Sequence, residues 1–291
     1  MSLQATNILL PETAILDKEK KIMSKYLFSF IGTGNMGSAL AKAVSKSVGG
    51  EKIALADKDI EKATSLANEI GAATVSISEA AQNSDFIFLG VKPQVLNTLF
   101  EEINFYLSAR KDRFVLISMA AGVSIINLKN KCSQNYPVIR IMPNTPVEAE
   151  KGMILYCCDN LVKESEENSF KNALKNAGKL DKIDEKLIDA ASAISGCGPA
   201  FVYMFAQSLA DGGVECGLPR DKALLYAAQT IIGAGEMILK TGKHPELLKD
   251  NVCSPAGSTI AGVHALEDSA FRDACMNAVS ASFERTKELG K

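Results

Sequence analysis

The chain has no tryptophan and only two histidines, His244 and His264, in 291 residues. Without a cysteine–histidine cluster at ligand spacing, a zinc site is excluded and no metal is expected. The seven cysteines are odd in number and include no CxxC pair. Cys157 and Cys158 are adjacent and cannot easily bridge to each other. This usage fits free thiols in a reducing compartment, so a cytoplasmic location is expected. Net charge is also scarce. A formal value of −2 gives no electrostatic footing for nucleic acid or an anionic membrane. Lys18, Lys20 and Lys21 cluster, but Asp17 and Glu19 interrupt them, as on a solvated face. No apolar run approaches the ~20 residues needed to span a bilayer. Near the N-terminus, NILL followed by Pro11 and DKEKK is too short an apolar core for a signal peptide. A serine hydrolase is poorly supported without a GxSxG elbow. No internal repeat or low-complexity segment is present.

What the chain does have is apolar residues, 47% of the total against 23% charged. That is the composition of a soluble globular protein with a real core, of one large or two ordinary domains. YLFSFI (26–31) reads as a buried parallel strand. A helical face follows, with Met36, Leu40, Val44 and Val48 at i, i+4 spacing. KIALAD (52–57), FIFLGV (86–91), FVLIS (114–118) and VIRIM (138–142) are further strands. Between them, Asp59 opens one helix, Ser76 and Glu79 have capping-box spacing, and Ser124 caps a short helix. Strands alternating with helices predict a parallel sheet covered on both faces. After about residue 185 the pattern becomes helix upon helix, and Pro199 suits the first position of one of them. The segment at 221–242, DKALLYAAQTIIGAGEMILKTG, is apolar on nearly every face. A helix like that must be covered all round, and a second copy of the chain would supply the missing layer.

FSFIGTGNMGSAL sets Gly32, Gly34 and Gly37 as GxGxxG between a strand and a helix. The first glycine permits a tight turn, the second admits a pyrophosphate to the backbone, and the third lets helix and strand pack closely. The helix start, at Asn35 and Met36, offers free N–H groups and partial positive charge to phosphates. Asp57 ends the next strand twenty residues after Gly37, where a carboxylate would accept from the ribose hydroxyls and repel a 2′-phosphate. Lys58 and Lys62 would instead pair with that phosphate. The cofactor is therefore NADPH or NADH, with Asp57 leaning towards NADH.

Five further stretches carry a family resemblance: VKP (91–93), RIMPNTP (140–146), SGCGPAF (195–201), ADGGVECGLPR (210–220) and SPAGSTIAG (254–262). In order and spacing they resemble pyrroline-5-carboxylate reductases over residues 25 to 290. The resemblance implies a Rossmann dinucleotide-binding domain at 25–184 and an all-helical dimerisation and substrate-binding domain at 185–291. Residues 1–24 form an extension outside it. It also implies a homodimer through the helical domain, with dimers commonly assembling into decamers. On this resemblance, the backbone N–H groups of Gly257, Ser258 and Thr259 hold the substrate carboxylate, and the Thr259 hydroxyl lies near the ring nitrogen. Ala121, Asn144, Thr145 and Pro199 line the nicotinamide side. Val91, Lys92 and Pro93 flank the phosphates and ribose. The implied reaction is hydride transfer from NAD(P)H to L-1-pyrroline-5-carboxylate, giving L-proline.

Two positions depart from the family pattern. Ala256 stands where glycine is usual, and would be strained by roughly 1–2 kcal/mol if that position needs positive φ. Cys197 stands where serine is usual. A small side chain at a helix start explains it better than a catalytic thiol, because hydride transfer to an imine needs no covalent nucleophile. Two other readings stay open. A β-hydroxyacid-type dehydrogenase would want a catalytic lysine near an asparagine in the helical half. A non-catalytic nucleotide-binding paralogue would use the same glycine loop.

Overall fold

The computed structural model describes residues 25–289. The extension expected over residues 1–24 lies outside them. The N-terminal half is an eight-stranded sheet in the order β3-β2-β1-β4-β5-β6-β7-β8. Its strands are β1 (Tyr26–Ile31), β2 (Ile53–Ala56), β3 (Ala73–Thr74), β4 (Ser84–Leu89), β5 (Val115–Ser118), β6 (Val138–Met142), β7 (Gly152–Cys158) and β8 (Gly178–Lys182). All neighbours pair parallel except β6 and β7. The first six strands therefore follow the doubly wound order, and the strand order reverses between β1 and β4, the place where such sheets bind ligands.

Helices α1 (Asn35–Val48), α2 (Ile60–Ile70), α3 (Ile77–Gln82), α4 (Leu96–Ala109), α5 (Ile125–Lys129) and α6 (Glu164–Ala173) cover the two faces. Central strands buried on both faces should be apolar throughout. Accordingly Phe28, Phe30, Phe88, Leu55 and Ile87 are fully buried. Phe30 of β1 stacks on Phe88 of β4 with ring centroids 4.3 Å apart. Each such side chain contributes roughly 1.5–3 kcal/mol by burial. The expected caps form, except that the Ser76 capping box closes on one side only, because the Glu79 carboxylate pairs with Lys25. Asp59 accepts from the Lys62 N–H at 3.1 Å, Ser76 from Glu79 at 3.0 Å and Ser124 from Asn127 at 3.2 Å.

Three strands were not expected from the sequence. Strand β3 has two residues, too few to carry a pattern. Strand β8, GKLDK, is a polar edge strand whose lysines suit an unpaired edge. Strand β7 is apolar but runs antiparallel, outside the strand–helix alternation.

The second half is helical: α7 (Glu185–Ser195), α8 (Gly198–Glu215), α9 (Arg220–Thr241), α10 (Pro245–Asp250), α11 (Ser258–Asp268) and α12 (Phe271–Leu289). Pro199 occupies the second position of α8, one residue later than expected. Helix α9 buries only Ala223 and Ala227 within this chain. Leu225, Tyr226, Ile232 and Leu239 are more than half exposed. An apolar face of that extent marks an association surface. By length and composition alone, the continuous stretch Glu185–Glu215 could cross a membrane. It is no unbroken apolar run, since the turn at Gly196–Cys197 divides it into α7 and α8.

Candidate active site

The glycine loop joins β1 to α1. Gly32 has φ +102°, and a Cβ there would come within 2.6 Å of the Gly90 carbonyl oxygen. A Cβ on Gly37 would lie 2.1 Å from the Gly32 carbonyl oxygen. These two glycines are required by the fold itself. Gly34 is different, because a Cβ there would meet no atom within 4 Å. Its openness leaves room for a ligand's backbone approach, as a pyrophosphate needs. Gly34 is also the N-cap of α1, where no side chain caps the helix and no acid sits in the first turn. Asn35 is exposed and Met36 half-buried on that turn. The loop therefore offers uncapped N–H groups and the positive end of a fourteen-residue helix.

A cleft of about 310 Å³ opens over this loop. Gly32, Gly34, Asp57, Lys58, Lys62, Gly90, Val91 and Lys92 line it, so five expected cofactor residues share one wall. Pro93 begins the adjoining turn Pro93–Val95. Gly90 was missed by sequence reasoning because it reads as the end of an apolar strand. Its N–H bonds to Ile31 at 2.8 Å, and its bare Cα lets β4 pass against the glycine loop. Ile77, Val95, Leu99 and Glu102 also line the cleft, with no motif to announce them.

Asp57 stands at the cleft, where the spacing placed it. Its carboxylate is already engaged. One oxygen accepts from the Thr33 N–H at 2.5 Å and from the Thr33 hydroxyl at 2.9 Å. The other accepts from the Asp59 N–H at 3.0 Å. Partial burial pushes this carboxyl up. The hydrogen bonds from Thr33 and Asp59, with the Lys62 charge nearby, outweigh that and hold it below its ordinary value.

Asn144 and Ala121 sit where the sheet meets α7, and neither they nor Thr145 and Pro199 line the glycine-loop cleft. Asn144 is buried, and both ends of its amide are used: its Nδ2 donates to the Ser195 carbonyl at 2.8 Å and its Oδ1 accepts from Met153 N–H at 2.8 Å. It thus ties the end of β6 to β7 and to the last residue of α7. Ala121 packs beside Met142, Leu155 and Ile188 in a small core cluster. Thr145 is exposed and Pro199 half-buried. Arg140 reinforces the junction. Its guanidinium pairs with Glu185 at 3.3 Å and Asp189 at 2.5 Å, both on α7, and Glu185 also accepts from the Ile125 N–H at 2.6 Å. The RIMPNTP stretch pointed to a site, but nothing in the sequence paired Arg140 with acids some 45–49 residues on.

Gly257, Ser258 and Thr259 form the N-terminal edge of α11, with Gly257 as N-cap and no side-chain cap. Ser258 and Thr259 are exposed and Gly257 is half-buried. None of the three lines the cleft of their own chain, and α11 packs chiefly on α12. The glycine-loop cleft and the expected substrate loop are thus separate features of the single chain's lining. Ala256 has φ +56°, so the position does need a left-handed backbone and the alanine is strained there. Cys197 is the N-cap of α8 and, like the other six cysteines, is free.

Residues 185–289 match the model of the pyrroline-5-carboxylate reductase dimerisation domain. Residues 28–122 match that of the coenzyme F420-dependent NADP oxidoreductases. The chain is 38% identical over 265 residues to the pyrroline-5-carboxylate reductase of Arabidopsis thaliana, covering 90% of this chain and 95% of that one.

The chain belongs to the pyrroline-5-carboxylate reductase family.

A second relative, pyrroline-5-carboxylate reductase 3 of Danio rerio, is 39% identical over 263 residues and 90% of each chain. Among solved structures, the Plasmodium falciparum pyrroline carboxylate reductase with NADP bound superposes with a TM-score of 0.82 at 33% identity. The match covers 92% of this chain and 100% of that one. The fold is thus the family's, a Rossmann-type domain followed by a helical dimerisation domain. The β-hydroxyacid-type dehydrogenase reading is not favoured by these relatives.

Proposed function

We propose that this member of the family is an NAD(P)H-dependent oxidoreductase that reduces L-1-pyrroline-5-carboxylate to L-proline. The observation that carries the proposal is the pairing of an open glycine-loop cleft with a helical half of the family's dimerisation type. The nicotinamide cofactor, when bound, supplies the hydride that C5 of the ring receives. The protein's part is to orient and to hold charge. Uncapped N–H groups around Gly34, Asn35, Met36 and Gly37 cradle the pyrophosphate. Val91, Lys92 and Pro93 flank it, and Asp57, Lys58 and Lys62 face the adenosine end. The Asp57 charge disfavours a 2′-phosphate and leans the choice to NADH, against the two lysines. Ala121, Asn144, Thr145 and Pro199 border the nicotinamide.

The ring nitrogen must carry a proton for the imine to be electrophilic. The Thr259 hydroxyl holds that nitrogen in place, and the N–H groups of Gly257, Ser258 and Thr259 grip the carboxylate. None of these three residues lines the cleft of its own chain, and in this reading the helical dimerisation domains pair so that a homodimer brings loop and cleft together. By the family resemblance, dimers assemble further into decamers, which sizing of the native protein checks. The division at residues 184 and 185 and a cytoplasmic location, in keeping with seven free cysteines, are part of the same reading.

Steady-state kinetics with pyrroline-5-carboxylate and each cofactor, with L-proline identified as product, test the activity. Dinucleotide binding without L-proline formation would leave the non-catalytic nucleotide-binding role standing instead. Ser258→Pro tests the loop, because it removes one N–H from the anion grip and restrains the turn. A folded Ser258→Pro variant with wild-type turnover would remove this stretch from the substrate site.

A further inference from the structure

We propose that Asp57 is a positioning residue that clamps the phosphate loop through Thr33, rather than a ligand of the ribose hydroxyls. The inference rests on the cleft taking a nicotinamide dinucleotide. Thr33 lies between Gly32 and Gly34 and is fully buried. Its N–H and its hydroxyl both donate to one Asp57 oxygen, at 2.5 and 2.9 Å. Its carbonyl accepts from the Ser38 hydroxyl at 2.7 Å. The neighbouring Gly32 N–H donates to the Ala56 carbonyl at 2.8 Å. The loop is therefore pinned on one side to the end of β2 and on the other to the first turn of α1. In that arrangement Gly34 is set at the mouth of the cleft.

An aspartate that turned towards a ribose would abandon this arrangement. Two donors on the fully buried Thr33 would lose their charged acceptor, which is the costly way to break a hydrogen bond. The second Asp57 oxygen is held by the Asp59 N–H at 3.0 Å. Little of the carboxylate is left for a diol. The residue that the strand-end spacing assigns to cofactor choice thus acts first on loop shape, which both cofactors need. Its charge remains near the 2′ position as a smaller effect.

Asp57→Ser and Asp57→Asn separate the two roles. Serine is too short to reach Thr33. Asparagine keeps an oxygen for it while removing the charge. Binding of NADPH and of NADH is measured by fluorescence, and amide hydrogen exchange at 32–37 on the cofactor-free protein. Loss of a charge-assisted pair of bonds should weaken both cofactors at least about tenfold in Asp57→Ser and speed exchange in the loop, while Asp57→Asn stays within about threefold for NADH and does not weaken NADPH. Thr33→Val, which lacks only the hydroxyl, should weaken both cofactors together by a few fold, and it carries the test if Asp57→Ser does not fold. The clamp is refuted if NADPH binds Asp57→Ser as well as or better than wild type while NADH alone suffers, or if loop exchange is unchanged. Failure of the wild type to bind either dinucleotide would instead overturn the reading of the cleft.

Discussion

The two halves of this chain differ in how far each is finished by its own residues. In the sheet domain, Phe28, Phe30, Leu40, Val44 and Phe88 are sealed from water, and the glycine-loop cleft is lined entirely by that domain. In the helical domain, α9 shows Leu225, Tyr226, Ile232 and Leu239 to solvent, and no residue of the loop before α11 lines that cleft. The sheet domain's core is therefore closed within one chain, while α9 keeps an apolar face open for association. The glycine-loop cleft, proposed to take the dinucleotide, is formed within one chain. On the proposed function, association is what brings the substrate loop to a cleft.

The strongest way to break the comparison is Ile232→Glu. The side chain is 55% exposed in the single chain, so a carboxylate there leaves the lone fold intact. Buried in a dimer it is an unpaired charge, at a cost on the order of several kcal/mol. Sizing should show single chains or aggregates, and a dimer of unchanged mass and activity would remove α9 from the interface. Next in size is Arg140→Met, which cuts the joint between the halves. Glu185 and Asp189 would lose their cation, and because both keep some water the loss should be about 2–3 kcal/mol, below that of a fully buried pair. Denaturant unfolding checks it, and an unchanged midpoint would mean the pair carries no weight.

Thr259→Ala probes the substrate half alone. Losing one hydrogen bond to a charged group should lower kcat/KM for pyrroline-5-carboxylate about ten- to a hundredfold, with cofactor affinity nearly unchanged by fluorescence. The smallest effect is a gain. Ala256→Gly relieves a left-handed alanine and should stabilise the protein by roughly 1 kcal/mol, after subtracting glycine's greater freedom when unfolded. A thermal scan showing a lower Tm would mean that the surrounding loop has adapted to the alanine.

The asymmetry also explains what could be read from the sequence. Patterns that act within one element were legible: the GxGxxG turn, the caps at Asp59, Ser76 and Ser124, and the apolar excess of α9. Links between distant elements were not. Nothing local announces that Arg140 meets Asp189, that Gly90 must stay bare beneath Gly32, or that Asp57 turns back to Thr33. The spacing put Asp57 at the right strand end, but hydrogen bonds formed across 24 residues decide which group it holds. The φ of Ala256 was legible only as a condition, through the glycine usual at that place in the family.

The most direct measurement combines binding and turnover on the same single-chain sample of Ile232→Glu, isolated by sizing. NAD(P)H fluorescence should show a cofactor affinity within a few fold of wild type, because the cleft belongs to one chain. Reduction of pyrroline-5-carboxylate should be at least about a hundredfold slower, since the loop at 257–259 then has no cleft to complete. A soluble single chain that forms L-proline at the wild-type rate would contradict the account, for it would show that one chain builds both halves of the site.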